Sequence, residues 1–301
     1  MLKDKPERRL RLLTKKTASR LVSALLCILL CLSFCSCSFS FSLESILQTI
    51  KSYISGDEAE EKPADYVGSG KNDSFEYDLY ETYAVVTKYT GAAPYVTVPS
   101  SLEGKPVAKI GSLAFYYGQK IVYLHLPETV TELEENALYY CDKLTTLELP
   151  SSLKKLGEKC FSWCTSIQVI ALPQGITEIP NFCYNECASL TDLFLPENVT
   201  SIGNRAFSGC VCIKSLAFGE SLKSVGMYAF RGTTALEDLA LPGGCVPADH
   251  AFDGASENLT VHTPADSVCD RICLAQMVRT DNHAGALVPV GNDENSSEAE
   301  G

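Results

Sequence analysis

The apolar positions of this chain recur with a period of 23 residues. Leu124, Leu147, Ile170, Leu193, Leu216 and Leu239 form one column, and Leu126, Leu149, Leu172, Leu195, Phe218 and Leu241 form a second. Pro127, Pro150, Pro173 and Pro196 follow in step, Gly219 takes the next slot, and Pro242 returns after it. A third column, Phe115, Leu138, Phe161, Tyr184, Phe207 and Phe230, stands further along each unit. An apolar–variable–apolar triplet stopped by proline predicts a short strand whose alternate side chains point inward. Segment 202–210 places apolar groups at i, i+4 and i+5, which suits a short helical or irregular turn. One such unit cannot bury its apolar side alone, so the units are expected to stack as a solenoid with strands in parallel. Leu193 is then expected in a central core rung, with Thr191 on the solvent side.

Ile110-Gly111, Ala114-Phe115, Ile202-Gly203, Ala206-Phe207-Ser208-Gly209-Cys210, and Gly226 with Ala229-Phe230 all fall in the same register. These residues resemble the BspA-type leucine-rich repeat, whose form is Ile-Gly-x-x-Ala-Phe-x-x-Cys-x-x-Leu-x-x-Leu-x-Leu-Pro. The resemblance spans residues 75–283. It implies an α/β leucine-rich-repeat solenoid, a horseshoe of short parallel strands joined by short helical or irregular turns. Residues 83–91, 96–99 and 104–107 look like the family's opening, a β-rich N-cap over the first rung. After Pro242 the register slips by one, to Ala251-Phe252, and a helical stretch through Met277 is expected as the C-cap.

Charge divides the chain. Residues 1–37 hold eight Lys/Arg against two Asp/Glu, within a chain of net charge −12. The cations precede an uncharged run over 21–34, the layout of a secretory signal with its basic end in the cytoplasm. Phe34-Cys35-Ser36-Cys37 resembles a bacterial lipoprotein box, which would place lipid on Cys37. An uncleaved anchor over 21–43 and plain cleavage are the alternatives. Leu43, Ile46, Leu47, Ile50 and Ile54 recur at helical spacing and suggest a juxtamembrane amphipathic segment. Residues 56–74 read as a flexible spacer, and 284–301 as an acidic disordered tail. The acidic remainder of the chain repels phosphates, so nucleic acid is not an expected partner.

Fourteen cysteines raise metal and disulfide chemistry. Cys160-x-x-x-Cys164 and Cys183-x-x-x-Cys187 look like zinc spacing in isolation. Cys141, Cys164, Cys187 and Cys210, however, share one repeat column, and Cys160 and Cys183 stand in the column of Ala114, Ala137, Ala206 and Ala229. A stacked thiol core is the preferred reading, with no metal or other cofactor, and disulfides remain open. His125, His250, His262 and His283 form no HExxH, and no Gly-x-Ser-x-Gly elbow occurs. Gly68-Ser69-Gly70-Lys71 lacks the flanking residues of a phosphate loop. Asn198-Val199-Thr200 and Asn258-Leu259-Thr260 fit the glycosylation triplet but mean little if the exporter is a bacterium, as the resemblance implies. No motif performs chemistry, and the chain is read as a non-enzyme.

Binding is expected on two surfaces. The outward strand columns offer Tyr123, His125 and Phe194 on the face a horseshoe makes concave. On the turn side, Tyr116 and Tyr117, Tyr139 and Tyr140, and then Trp163 occupy matching positions in three successive repeats. Five aromatics exceed what a solvated loop needs. The bland alternative packs them against the N-cap tyrosines Tyr77, Tyr80, Tyr83 and Tyr89. The resemblance implies adhesion to an extracellular protein of a host or neighbouring cell, with membrane attachment through the N-terminus. A carbohydrate-binding accessory protein, with Tyr and Trp stacked on sugar rings, is the competing class.

Overall fold

In the computed structural model, which describes residues 62–283, each repeat contributes two short strands rather than one. The expected Leu-x-Leu strands lie at Tyr123–His125, Thr146–Glu148, Val169–Ala171, Asp192–Phe194, Ser215–Ala217, Asp238–Ala240 and Thr260–His262. A second row, Glu132–Leu133, Lys155–Leu156, Glu178–Ile179, Ser201–Ile202, Ser224–Val225 and Val246–Pro247, runs along the Ile-Gly segment. Both rows pair in parallel at the repeat interval, as in Tyr123↔Thr146, Ser215↔Asp238 and Ser201↔Ser224. The one-residue slip after Pro242 is present in both rows, where Asp238 meets Thr260 and Ser224 meets Val246.

The Ala-Phe segment that closes each turn is irregular, not helical. Two residues in it take a left-handed backbone, such as Arg205 (φ 53°) and Gly209 (φ 78°), so the chain bends instead of winding. Its backbone groups bond between rungs: Phe161 N–H donates to Cys183 O at 3.1 Å, and Tyr184 N–H to Ala206 O at 2.8 Å. The solenoid is therefore stitched on this side as well, although no strand is formed there.

The core is a set of ladders. Phe161, Tyr184, Phe207, Phe230 and Phe252 stack ring on ring at 5.4–5.8 Å, with interplanar angles of 13° or less. Beside them the thiols of Cys141, Cys164, Cys187 and Cys210 donate to Phe115 O, Leu138 O, Phe161 O and Tyr184 O at 3.0–3.3 Å. That bond explains the column: a compact, weakly polar side chain fills the space and gives the neighbouring carbonyl a donor. Thr233 takes the same column one unit later and donates to Phe230 O at 2.7 Å. Burial holds the thiols of Cys160, Cys187 and Cys210 neutral, well above the usual cysteine range. A buried thiol trio, Cys245, Cys269 and Cys273, ties the C-cap to the last rungs, with Cys269 and Cys273 Sγ atoms 4.0 Å apart.

Leu193 departs from expectation. It is half-buried, as is Leu147, while Leu124, Leu216 and Leu239 in the same column are buried. The strands of Leu147 and Leu193 are also where the Leu-x-Leu row breaks into hydrogen-bonded groups of three, two and four strands.

The N-cap begins earlier than the sequence suggests. β1 (Tyr66–Lys71) lies in the stretch read as spacer and pairs antiparallel with β2 (Phe75–Tyr80), which pairs with β3 (Ala84–Tyr89). Gly68 and Gly70 hide the strand from pattern reading. A Cβ on Gly70 would meet the Tyr77 ring at 2.3 Å, so the bare backbone is what lets Tyr77 lie across the sheet. β4 (Tyr95–Thr97) starts the Leu-x-Leu row, β5 (Ser101–Leu102) folds back, and β6 (Lys105–Ile110) joins β3 to the second row. At the other end, α1 (Val268–Ala275) is the expected C-cap helix. Ser267 caps it by accepting from Asp270 N at 3.1 Å. The signal segment, Cys37, the amphipathic segment and the acidic tail lie outside the described residues.

Candidate functional site

The turn that carries the candidate aromatics is built for display. Tyr117 (φ 57°), Tyr140 (φ 64°) and Trp163 (φ 63°) each occupy the left-handed position, which throws the side chain off the corner. Bulky residues adopt this backbone at a cost, of order 1 kcal/mol or more each. Their N–H groups are nonetheless bound between rungs, Tyr117 to Tyr139 O, Tyr140 to Ser162 O and Trp163 to Asn185 O. The corner is over-determined, and the strain is held.

The five aromatics form one continuous array. Tyr117 stacks on Tyr140 at 4.5 Å and 14°, and Tyr140 on Trp163 at 5.7 Å and 23°. A parallel pair, Tyr116 and Tyr139, stacks at 5.7 Å and 14° and meets the first row edge-on through Tyr116–Tyr117. Tyr116 and Tyr117 are each 48% exposed and Trp163 37%, while Tyr139 and Tyr140 are half-buried between them. Their ring faces are spent on one another, so the array presents edges and hydroxyls.

The cap tyrosines do not account for this array. Tyr80 stacks on Tyr83 at 4.6 Å and packs against Tyr66, whereas Tyr89 lies between Phe75 and Phe115 and extends the core ladder. Tyr77 donates to Glu103 at 2.9 Å. Among the described residues, no ring contact joins these four to the turn-side array.

On the Leu-x-Leu face the structure joins two of the three expected residues. His125 Nδ1 lies 2.8 Å from Glu148 Oε2, and Tyr123 also bonds to Glu148. Those bonds, Tyr123 first and His125 second, hold the Glu148 carboxyl below its ordinary range, and the carboxylate in turn raises the Tyr123 phenol. Tyr95, 71% exposed, packs against Tyr123 at 6.5 Å and extends the patch toward the N-cap. Phe194 is not part of it. Three rungs separate His125 from Phe194, about 14 Å at strand spacing. Phe194 instead projects, 61% exposed, beside a shallow hollow of about 460 Å³ at the second break in the row.

A feature absent from the sequence reading runs along the same turn, four residues before the tyrosine column. Lys159, Phe182, Arg205, Tyr228 and His250 all take positive φ and interleave as cation and ring. Lys159 Nζ and Arg205 Cζ lie 5.7 and 5.9 Å from the Phe182 centroid, and Arg205 and Arg231 lie 5.3 and 5.6 Å from that of Tyr228. The His250 ring stacks on Tyr228 at 5.6 Å. The one signal for it was the repeat register, because the column shares no residue type.

One family and one solved structure agree with this architecture. The BspA type leucine-rich repeat region matches in six copies, over residues 108–237 and 177–265. A leucine-rich repeat protein from Eubacterium ventriosum superposes with a TM-score of 0.55 at 21% identity, covering 65% of this chain and 51% of its own. A leucine-rich repeat protein of T. pallidum gives 0.47 at 24% identity over 70% of this chain and 97% of its own. A leucine-rich cell surface protein from Faecalibacterium prausnitzii gives 0.49 at 23% identity, over 67% and 72%. No curated protein matches. With the two-strand rungs, the Cys and Phe ladders and more than half its length matched, the chain belongs to the BspA-type leucine-rich repeat family.

Proposed function

We propose that this protein is exported, held at the cell surface, and acts there in non-catalytic recognition of an extracellular protein of a host or neighbouring cell. The observation that carries the reading is the turn-side array of Tyr116, Tyr117, Tyr139, Tyr140 and Trp163. Tyr and Trp supply large, stiff, amphipathic contact area and are enriched among binding hot spots. Here the stacking has already ordered them, so little side-chain entropy remains to be lost on docking. Stacking on sugar needs open ring faces, and the array closes them except at its ends. Protein recognition through edges and hydroxyls therefore fits better than carbohydrate binding. The Tyr123, His125 and Glu148 cluster, with Tyr95, is the second candidate surface.

Export and tethering rest on the eight N-terminal cations before an apolar run, with Cys37 as the lipid acceptor. Fractionation that finds the chain soluble in the cytoplasm with Met1 intact would reject this part. Probing protein and glycan arrays in parallel tests the rest. Hits confined to proteins, and lost in the Tyr140→Ala, Trp163→Ala double variant, are expected. Reproducible glycan hits that survive that variant would overturn the assignment.

A further inference from the structure

We infer that the Lys159–Phe182–Arg205–Tyr228 column, with Arg231 beside it, is a binding site for an acidic polysaccharide chain. Four arginines lie between residues 62 and 283, and two of them flank one ring, Tyr228. Neither Arg205 nor Arg231 has an ion pair among the described residues. Three lysines of this acidic molecule are matched, Lys109 and Lys155 reaching Glu132 at 2.9 and 2.6 Å and Lys71 reaching Glu76 at 3.1 Å, whereas Lys159 only approaches Glu135, at 3.8 Å. His250 is matched as well, with Nδ1 3.0 Å from Asp253 Oδ2. The two guanidinium groups are thus charges without counter-charge in a chain of net charge −12. Local charge, not net charge, decides what docks on a small patch.

The rings fix these cations. Arg205 is held between Phe182 and Tyr228, its guanidinium carbon 5.9 and 5.3 Å from their ring centroids. A supported guanidinium keeps its N–H fork for carboxylate or sulfate oxygens, and two-pronged recognition of those groups favours Arg over Lys. Spacing then selects a chain over a small anion. Lys159 and Arg205 are two rungs apart, about 10 Å at strand spacing. That is close to the length of one disaccharide, so a glycan with an acidic group on every second sugar meets cations in register. The stripe crosses rung after rung on an open edge, as a linear polymer requires. This inference does not rest on the tyrosine array, which lies in a different column of the turn.

Titration calorimetry on the full chain in detergent tests the site, using a heparin hexasaccharide, maltohexaose and an oligothymidylate hexamer as probes. The heparin hexasaccharide is expected to bind at least tenfold more tightly than the neutral sugar and to weaken as salt is raised. The Arg205→Gln, Arg231→Gln double variant should lose at least tenfold, and Lys214→Gln, at the start of a Leu-x-Leu strand, should bind as wild type. Arg231 is exposed, so the single Arg231→Gln variant should keep its melting curve and still lose about threefold. Maltohexaose binding as well as heparin, unchanged affinity in both arginine variants, or equal affinity for oligothymidylate would overturn the proposal.

Discussion

One position of the repeating turn carries Tyr117, Tyr140, Trp163 and Glu186 in the first half of the solenoid, and Gly209, Gly232 and Gly254 in the second. The backbone is the same throughout, with φ between 57° and 78°. Glycine is the unstrained occupant of such a site, and the second half uses it. Space does not explain the difference at Gly232 or Gly254, where a Cβ would sit 3.8 Å from its nearest neighbour, and at Gly209 it would meet only the movable end of Glu186, at 2.7 Å. The first half therefore carries large rings at a position where the fold itself asks for none. Four residues upstream the contrast reverses, with Leu113 and Asn136 in the early rungs and the interleaved cations and rings in the later ones. The two halves share a frame and differ in what they display.

The largest effect expected from this comparison separates the inside of a rung from its edge. Phe161 and Trp163 belong to the same turn, but Phe161 is buried in the core ladder. Phe161→Ala should cost about 3–5 kcal/mol in denaturant melts. A cost as small as that of an edge residue would mean the core ladder is misplaced.

Next comes the edge itself. Removing both Tyr140 and Trp163 side chains should weaken binding of an array-selected protein by roughly 2–4 kcal/mol, with the melting curve nearly unchanged. Early melting with normal binding would make the array a packing device and move attention to Tyr95, Tyr123 and His125.

A finer test exchanges occupants between the halves. Trp163→Gly should be about 1 kcal/mol more stable than Trp163→Ala, and Gly232→Ala should lose about the same, because only glycine is at ease with positive φ. Equal stability of the two Trp163 variants would show that the left-handed backbone relaxes on truncation and that no strain is stored there.

The smallest effect lies on the Leu-x-Leu face near the C-cap. Hydrogen bonding to Asp238, at 2.9 Å, and to Asp281, at 3.4 Å, raises His262 above its ordinary value of 6.5. A raised folded value means the contribution is complete below about pH 6.5 and fades as pH rises through the folded value. The ring is partly exposed, so solvent screening keeps it small. His262→Gln should flatten the slope of melting temperature against pH just above 6.5, and an unaltered slope would remove the histidine from the account.

Sequence and structure meet unevenly, for physical reasons. The Leu, Pro and Phe columns and the slip after Pro242 were legible because each repeats one chemical demand at a fixed interval. The second strand row was not, since a two-residue strand such as Lys155–Leu156 is too short to show alternation. β1 was concealed by Gly68 and Gly70, and at Gly70 the space of the missing side chain is filled by Tyr77 from across the sheet. Leu193 reads like its column-mates, yet it is half-buried beside a break in the row's hydrogen bonding, which only three-dimensional pairing reveals. The tyrosine array was found because like residues fell in register. The Lys159, Phe182, Arg205 and Tyr228 column was missed because unlike residues, placed one above another, make their contact only after folding.

The parallel register has a consequence for descent. Each rung meets only the rungs above and below it, so duplicating one whole unit between existing ones inserts another step without changing the pairing of the rest. A duplicated rung that carries Tyr139 and Tyr140 would lengthen the aromatic edge by one step, and one that carries Arg205 would lengthen the cationic edge. The shortened interval between Asp238 and Thr260 marks where the series hands over to its closing helix. Lineages built on this frame can therefore tune how far a recognition edge reaches by gaining or losing copies, leaving the chemistry of each step as inherited.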